Sequence, residues 1–221
     1  MYNCKKWGII ITPHTIFIGK LIIDRLTLYG WNAELLTEVP ETFQHDMYIV
    51  VCPQMFKTLP PPDRRICFQM EQSVSQRWFS QEYLFVLHES LCVLDYSINN
   101  IEYLSLNGIQ YPKVFYVPVG ARSLSDDNLP NPIKKTIDIL FYGDVKSSPR
   151  RQRILSTLQD YYNITIIDDK FGLDMEQIIK SAKIVLNIHY YENALLEMPR
   201  IQECLSLGVP VVSESSQDQD R

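Results

Sequence analysis

The sequence predicts an α/β protein built from two parallel-sheet units, and three observations carry that prediction. Short apolar runs alternate with helix-period patterns from end to end, the signature of βα units. A polar stretch with two prolines and no apolar period, Ser123 to Lys135, interrupts the alternation. Beyond it the alternation restarts. At 221 residues the chain is long enough for one large or two small α/β domains with real cores.

The elements follow in order. The β-branched run Trp7-Gly-Ile-Ile-Ile-Thr12 reads as a strand over 7–12. A helix over 16–29 takes its apolar stripe from Ile16, Leu21, Ile22, Leu26 and Leu28, and Gly30 stops it. Strands are expected at 33–37, 47–52 and 65–70, with Pro60-Pro-Pro62 as a stiff loop because proline cannot join an interior ladder. A helix over 80–89, a strand over 91–95, a helix over 98–107 and a strand over 113–118 complete the first half. The second half reads as strand 137–142, helix 149–161, strand 164–168, helix 174–182, strand 183–188, helix 199–207 and strand 209–213. The domains are therefore 1–122, a linker over 123–136, and 137–221.

Composition narrows the function classes. With 46% apolar and 21% charged residues the chain has ordinary globular chemistry. A formal charge of −5 argues against a nucleic-acid binder, which normally carries a basic surplus. No apolar run reaches the 18 or so residues that a membrane helix needs, and the N-terminal run is too short and too β-branched for a signal peptide. No integral membrane segment is expected, and the expected location is cytoplasmic. Cys4, Cys52, Cys67, Cys92 and Cys204 form no CxxC pair and read as reduced, buried thiols. No His/Asp/Glu cluster has metal-ligand spacing, so no metal is expected.

Several expected strands end in a polar residue or in glycine: His14, Glu71, Asp95, Gly120, Gly143, Asp168, His189 and Ser213. Loops at strand ends are polar in any case, yet together these groups describe a crevice lined with hydrogen-bonding side chains. The segment Gly143-Asp-Val-Lys-Ser-Ser-Pro-Arg-Arg-Gln-Arg153 is sharper. Ser148 is a good N-cap and Pro149 suits the first helical position. Arg150, Arg151 and Arg153 then stand where the helix dipole favours acid. A bound phosphate would remove the conflict, since free N–H groups and arginines both favour it, with Arg150 or Arg151 as contacts. The alternative is a solvated basic face.

In the 199–207 helix, Ile201, Cys204 and Leu205 form the expected buried stripe, which leaves Arg200 and Glu203 on another face. Those two are either a surface ion pair or a site in which Glu203 accepts from ribose hydroxyls and Arg200 orients the carboxylates. Glu192 and Glu197 lie in the loop before that helix, and His189 stands at the end of the preceding strand. A lone histidine is more often a hydrogen-bonded structural residue than a functional one. No Gly-x-Gly-x-x-Gly follows the first strand, where Thr12-Pro-His-Thr-Ile-Phe-Ile-Gly19 stands instead, which weakens a dinucleotide reading.

The run from Asp138 to Glu214 resembles the donor-binding domain of GT-B glycosyltransferases, more narrowly the polysaccharide-type members of bacteria and viruses. The resemblance is carried by Phe141-Tyr-Gly-Asp144, Ser148-Pro-Arg-Arg151, Leu186-Asn-Ile-His-Tyr-Tyr-Glu192, Glu197-x-x-Arg200 and Glu203-Cys-Leu-Ser-Leu-Gly-Val-Pro-Val-Val-Ser213. Phe68-Gln-Met-Glu-Gln72 and Val93-Leu-Asp-Tyr-Ser-x-x-Asn-Ile101 are similar to segments of the same proteins. The resemblance implies two Rossmann-like domains facing a cleft, with the second one short. It implies metal-independent transfer from a nucleotide sugar, UDP- or GDP-linked, with no further cofactor. The donor would sit on the second domain and a glycan or glycoconjugate acceptor on the first. Glu203, five residues before Gly208, matches the family's ribose-binding glutamate. Arg150 or Arg151 takes the diphosphate position, and the Gly143 turn lets backbone approach the phosphates.

Two departures stand out. The family's Glu-x7-Glu pair is absent, since Leu195 stands eight positions before Glu203. The chain also ends where the family continues with further βα units, so a fragment or a compact version is expected. An inverting transferase needs a base for the acceptor hydroxyl, and the candidates are Glu71, then His14 and Asp95. Two other readings stay open: a degenerate or truncated chain serving as a nucleotide- or glycan-binding or partner subunit, and a nucleotide-sugar epimerase. A lipid-linked acceptor would add a peripheral membrane contact, though no basic amphipathic helix marks one.

Overall fold

A computed structural model describes residues 6–75, 77–122 and 134–219. The chain divides into two compact units between Val119 and Gly120. Most of the expected linker, 123–133, lies outside the described residues, as do Cys4 and the end of the polar tail.

The first unit runs β1 (Lys6–Ile10), α1 (Ile16–Leu28), β2 (Asn32–Leu36), β3 (Met47–Val51), β4 (Arg65–Gln69), α2 (Gln81–Glu89), β5 (Cys92–Asp95), α3 (Ile98–Leu106) and β6 (Val114–Tyr116). The strands form one six-stranded sheet in the order β2-β1-β3-β4-β5-β6, and every pairing is parallel. All five residues of β3, Met-Tyr-Ile-Val-Val, are buried, as expected for a central parallel strand covered on both faces. On one face Tyr48, Val50 and Ile10 pack with Leu36 and Phe43. Elsewhere Leu87 of α2 and Leu104 of α3 close over Cys67 and Val93. Gly30 (φ +75) ends α1 as expected, with the Trp31 amide donating to the Leu26 carbonyl at 2.9 Å. Three 3-10 turns that the sequence reading did not include open on a proline, Pro13–Thr15, Pro53–Met55 and Pro62–Arg64. Pro62 thus begins one of these turns, within the stiff loop that was expected.

The second unit runs β7 (Ile137–Tyr142), α4 (Pro149–Gln159), β8 (Ile164–Ile167), α5 (Gly172–Ser181), β9 (Ala182–Asn187), α6 (Met198–Ser206) and β10 (Val211–Ser213). Its four-stranded sheet is parallel throughout, in the order β10-β9-β7-β8. Successive residues of β7 face opposite ways. Leu140 packs under α5 and α6 with Ile179 and Cys204, while Phe141 packs under α4 with Leu155. The chain leaves β7 towards β8 and returns on the other side as β9, so the strand order reverses between β7 and β9. Ligands of open α/β sheets bind outside the carboxyl ends of the strands at such a reversal. In this unit those ends carry Gly143 and His189.

Two details depart from expectation. Leu205, placed in the buried stripe of α6, is 49% exposed, while Ser206 is 4% exposed and donates to the Gln202 carbonyl at 2.6 Å. A hydroxyl bonded back to its own helix is buried at little cost, so the helix turns its smaller side chain inward. Of the four described cysteines, all free, Cys52, Cys67 and Cys204 are buried but Cys92 is only partly so.

Candidate functional site

The site of the second unit starts at α4. Ser148 caps the helix, its Oγ accepting from the Arg151 amide at 3.3 Å, and Pro149 follows at the first helical position. The helix therefore presents Arg150 and Arg151 in its first turn, beside the ends of β7 and β9. Each already has carboxylate and carbonyl partners within the chain. Arg150 lies fork to fork on Glu214 just beyond β10 and also donates to the His189 carbonyl at 3.0 Å. Arg151, 4% exposed, donates to the Ile188 carbonyl at 2.9 Å, the Asp144 carbonyl at 3.1 Å and Glu197 Oε1 at 3.1 Å. Burial, then the nearby charge of Arg200, lowers its pKa to about 10. Lys146, just before the helix, pairs with Asp168 at 2.8 Å.

Arg200, near the start of α6, completes the cluster. Its Nη1 bonds Glu197 Oε2 at 2.8 Å and Asn187 Oδ1 at 3.0 Å, and its guanidinium lies over the Tyr142 ring with 5.0 Å to the centroid. Glu197 thus joins Arg151 and Arg200, one oxygen to each. Of the carboxylates that Arg200 was expected to pair with or to orient, Glu197, three residues earlier, is bonded to it. Glu203 instead accepts from the Tyr142 hydroxyl at 3.0 Å. Gly143 has φ +128, and a Cβ there would stand 3.0 Å from Arg200 Nη2 and 3.4 Å from Arg151 Nη1. Its missing side chain is the space that the two guanidiniums use.

Two polar atoms in this cluster have no partner among the described residues, His189 Nε2 and Arg200 Nε. His189 is 3% exposed, and burial lowers its pKa. Buried polar atoms are normally hydrogen-bonded, so these two leave room for a further polar partner, a water or a ligand. The structure brings together Gly143, Arg150, Arg151, His189, Glu197, Arg200 and Glu203, while Glu192 is exposed in the loop before α6. Sequence reasoning missed Tyr142, Asn187 and Glu214. Asn187, 1% exposed inside the apolar run of β9, carried a readable signal, since a buried asparagine needs partners.

In the first unit the three base candidates separate. Asp95, at the end of β5, is fully buried. Its Oδ1 accepts from the Ser97 amide at 2.8 Å and Asn100 Nδ2 at 3.1 Å, and its Oδ2 from Gln69 Nε2 at 2.7 Å. Burial outweighs these bonds and pushes its pKa up to about 7. Its oxygens are taken by internal donors. What the network positions is Glu71. The Glu71 amide donates to Gln69 Oε1, and the Glu71 carbonyl accepts from Gln69 Nε2 and Asn100 Nδ2, both at 2.8 Å. The Glu71 side chain is half-buried and its Oε1 accepts from the Gln72 amide at 2.9 Å. His14 is exposed as a whole residue, but its ring Nε2 lies 3.3 Å from Thr12 Oγ1 and burial around the ring lowers its pKa. Among the described residues no group of three or more His, Cys, Asp or Glu stands together as a metal site, and no helix is long and apolar enough to cross a membrane.

No family model matches the chain. Two proteins of Acanthamoeba polyphaga mimivirus, both described only as uncharacterised, are similar in sequence. One is 30% identical over 158 residues, which is 69% of this chain and 49% of the relative. The other is 36% identical over 108 residues, 48% of this chain and 35% of the relative. The match thus spans half or less of these relatives' length. Among solved structures, AviGT4, a glycosyltransferase involved in avilamycin A biosynthesis, superposes with a TM-score of 0.57 at 15% identity, over 96% of this chain and 79% of that one. An α-glucosyltransferase in complex with UDP and a 13-mer DNA superposes with a TM-score of 0.54 at 10% identity, over 96% and 80%. Two parallel sheets with this strand order, superposed on those enzymes over nearly the whole chain, give this protein the GT-B glycosyltransferase fold.

Proposed function

We propose that this protein transfers a sugar from a nucleoside-diphosphate sugar, UDP- or GDP-linked, to a hydroxyl of a glycan or glycoconjugate acceptor. The observation that carries the reading is the placement of Glu203 on α6, held by Tyr142, beside an arginine cluster at the strand-order reversal of the second sheet. A carboxylate with two acceptor oxygens suits a ribose diol. Arginines offset the charge that builds on a leaving diphosphate, and a group fixed in advance does so without reorganising.

In the proposed step the acceptor oxygen bonds to the anomeric carbon of the donor sugar. The bond from that carbon to the phosphate oxygen breaks, and its electron pair leaves with the diphosphate. In an inverting course the acceptor proton passes to a carboxylate base. Glu71 suits that role, because its backbone is clamped on both sides while its carboxylate is not fully buried.

The test is release of nucleoside diphosphate from UDP- and GDP-sugars, with and without glycan acceptors. Acceptor-dependent release accompanied by a glycosylated product is expected. Interconversion of the donor sugar without an acceptor would establish an epimerase instead. Binding without any turnover would establish a nucleotide-binding subunit.

A further inference from the structure

Arg151 and Arg200 are largely covered as they stand. Their side chains are 5% and 13% exposed, and the carboxylate that joins them, Glu197, is 15% exposed. Two guanidiniums held side by side against the Gly143 turn repel one another, and an anion between them relieves the repulsion. Glu197 supplies that anion, one oxygen to each arginine, as two oxygens of a phosphate would.

The position of Glu197 in the chain leaves its side chain outside the helix's own bonding. It stands at the N-cap of α6, yet its side chain makes no capping bond, and its backbone (φ −76, ψ 62) lies outside the helical region. The loop before it contains Asn193 in the left-handed region, at φ +55. The Glu197 carbonyl accepts from the Ile201 amide at 3.2 Å, so turning the side chain about its own bonds would withdraw the carboxylate while the backbone of α6 stays in place. Once withdrawn, the carboxylate remains near the N-terminal end of that helix, where the dipole favours negative charge.

We propose that Glu197 is a built-in counter-ion that fills the phosphate position between Arg151 and Arg200 and is displaced when a ligand of the diphosphate class binds. The inference rests on the donor-site reading above and gives that site an internal competitor. Without ligand the two arginines stay paired, which avoids the large destabilisation of a buried unpaired charge. With ligand, apparent affinity is reduced by the fraction of molecules in which the position is open; a carboxylate that fills it in about nine molecules of ten weakens binding about tenfold.

The experiment is calorimetric titration of inorganic pyrophosphate and of UDP and GDP into the wild-type chain and into Glu197→Gln. The variant keeps the size of the side chain and removes the charge. The expected result is binding about tenfold tighter to Glu197→Gln, for pyrophosphate as well as for the nucleotide. Equal or weaker binding by the variant, with the wild type still binding, would overturn the proposal and make Glu197 a positioning group, while leaving the donor site in place. If neither protein binds any of these ligands, the donor-site reading falls and takes this proposal with it. Should the variant fail to fold, a crystal structure of the wild type with the nucleotide that binds it decides. Phosphate oxygens between the two arginines, with Glu197 more than about 4 Å away, support displacement. Glu197 still bridging them beside a bound diphosphate refutes it.

Discussion

Tyr142, the last residue of β7, donates its hydroxyl to the Glu203 carboxylate on α6 at 3.0 Å. Burial, with the Glu203 charge next, holds the phenol pKa well above its ordinary value, so the hydroxyl remains a donor throughout the physiological range. This bond helps to hold the carboxylate proposed to receive the ribose. Tyr142→Phe should lower stability by about 1 kcal/mol and weaken nucleoside diphosphate binding by a factor of up to about ten. Urea unfolding and calorimetric titration check the two effects. Unchanged affinity in the variant would detach Glu203 from the ligand.

Arg150 and Arg151 are neighbours in sequence with unlike surroundings. Arg151 is buried on two carbonyls and Glu197, and Arg151→Met leaves part of a buried ion cluster unpaired. A loss of about 3 kcal/mol follows. The Arg150–Glu214 pair is 23% and 30% exposed, and solvent screening limits Arg150→Ala to about 1 kcal/mol or less. Denaturation midpoints of the two variants, measured side by side, should differ clearly, and equal losses would contradict the picture.

Much of the fold was legible in the sequence because it is local. Among the described residues, all ten strands and six helices lie within two residues of the periodic patterns that announced them, since the apolar period and the flanking Gly, Pro and Ser are properties of short segments. Gly143 and the residues after it could be read as a turn and a capped helix for the same reason. What could not be read is which charge meets which. The partner of Arg150 is 64 residues away and that of Arg151 is 46 away, and helix spacing left both Glu203 and Glu197 open as partners of Arg200, to which Glu197 is bonded. The surroundings of Asp95 were hidden on similar grounds. Its place at a strand end is visible in sequence, but its burial behind Gln69 and Asn100 depends on how α3 packs.

Asp95 gives a pH prediction with a definite sign. Its folded pKa, about 7, lies above the unfolded value near 3.8, so the folded state binds more protons between those limits. Its contribution to stability is present below about pH 4 and is lost as pH rises towards 7, with a slope of up to about 1.4 kcal/mol per pH unit. Unfolding midpoints measured from pH 4.5 to 8 should carry this fall, and Asp95→Asn should flatten it. A variant that keeps the wild-type slope would assign the titration to another group.

Gly143→Ala should be costly for two independent reasons. The backbone there, at φ +128, is one that L side chains rarely adopt, and the new Cβ would press on Arg200 Nη2 at 3.0 Å. A loss of about 1–3 kcal/mol is expected, together with weaker nucleotide binding because the arginines must shift. A variant as stable as the wild type would show that the turn relaxes freely.

The central claim is that Glu203 and the arginines beside it form a nucleoside-diphosphate site. The most direct test is thermal unfolding of the wild type and of Glu203→Gln with UDP, GDP, dTDP, CMP and ADP. Gln keeps an oxygen for Tyr142 but loses one of the two acceptors offered to the ribose. A ligand at a hundred times its dissociation constant stabilises the folded state by about 2.7 kcal/mol, which raises the midpoint readably. The account predicts that UDP or GDP raises the wild-type midpoint and that Glu203→Gln loses most of that rise. No shift with any nucleotide, or an equal shift in the variant, would contradict it.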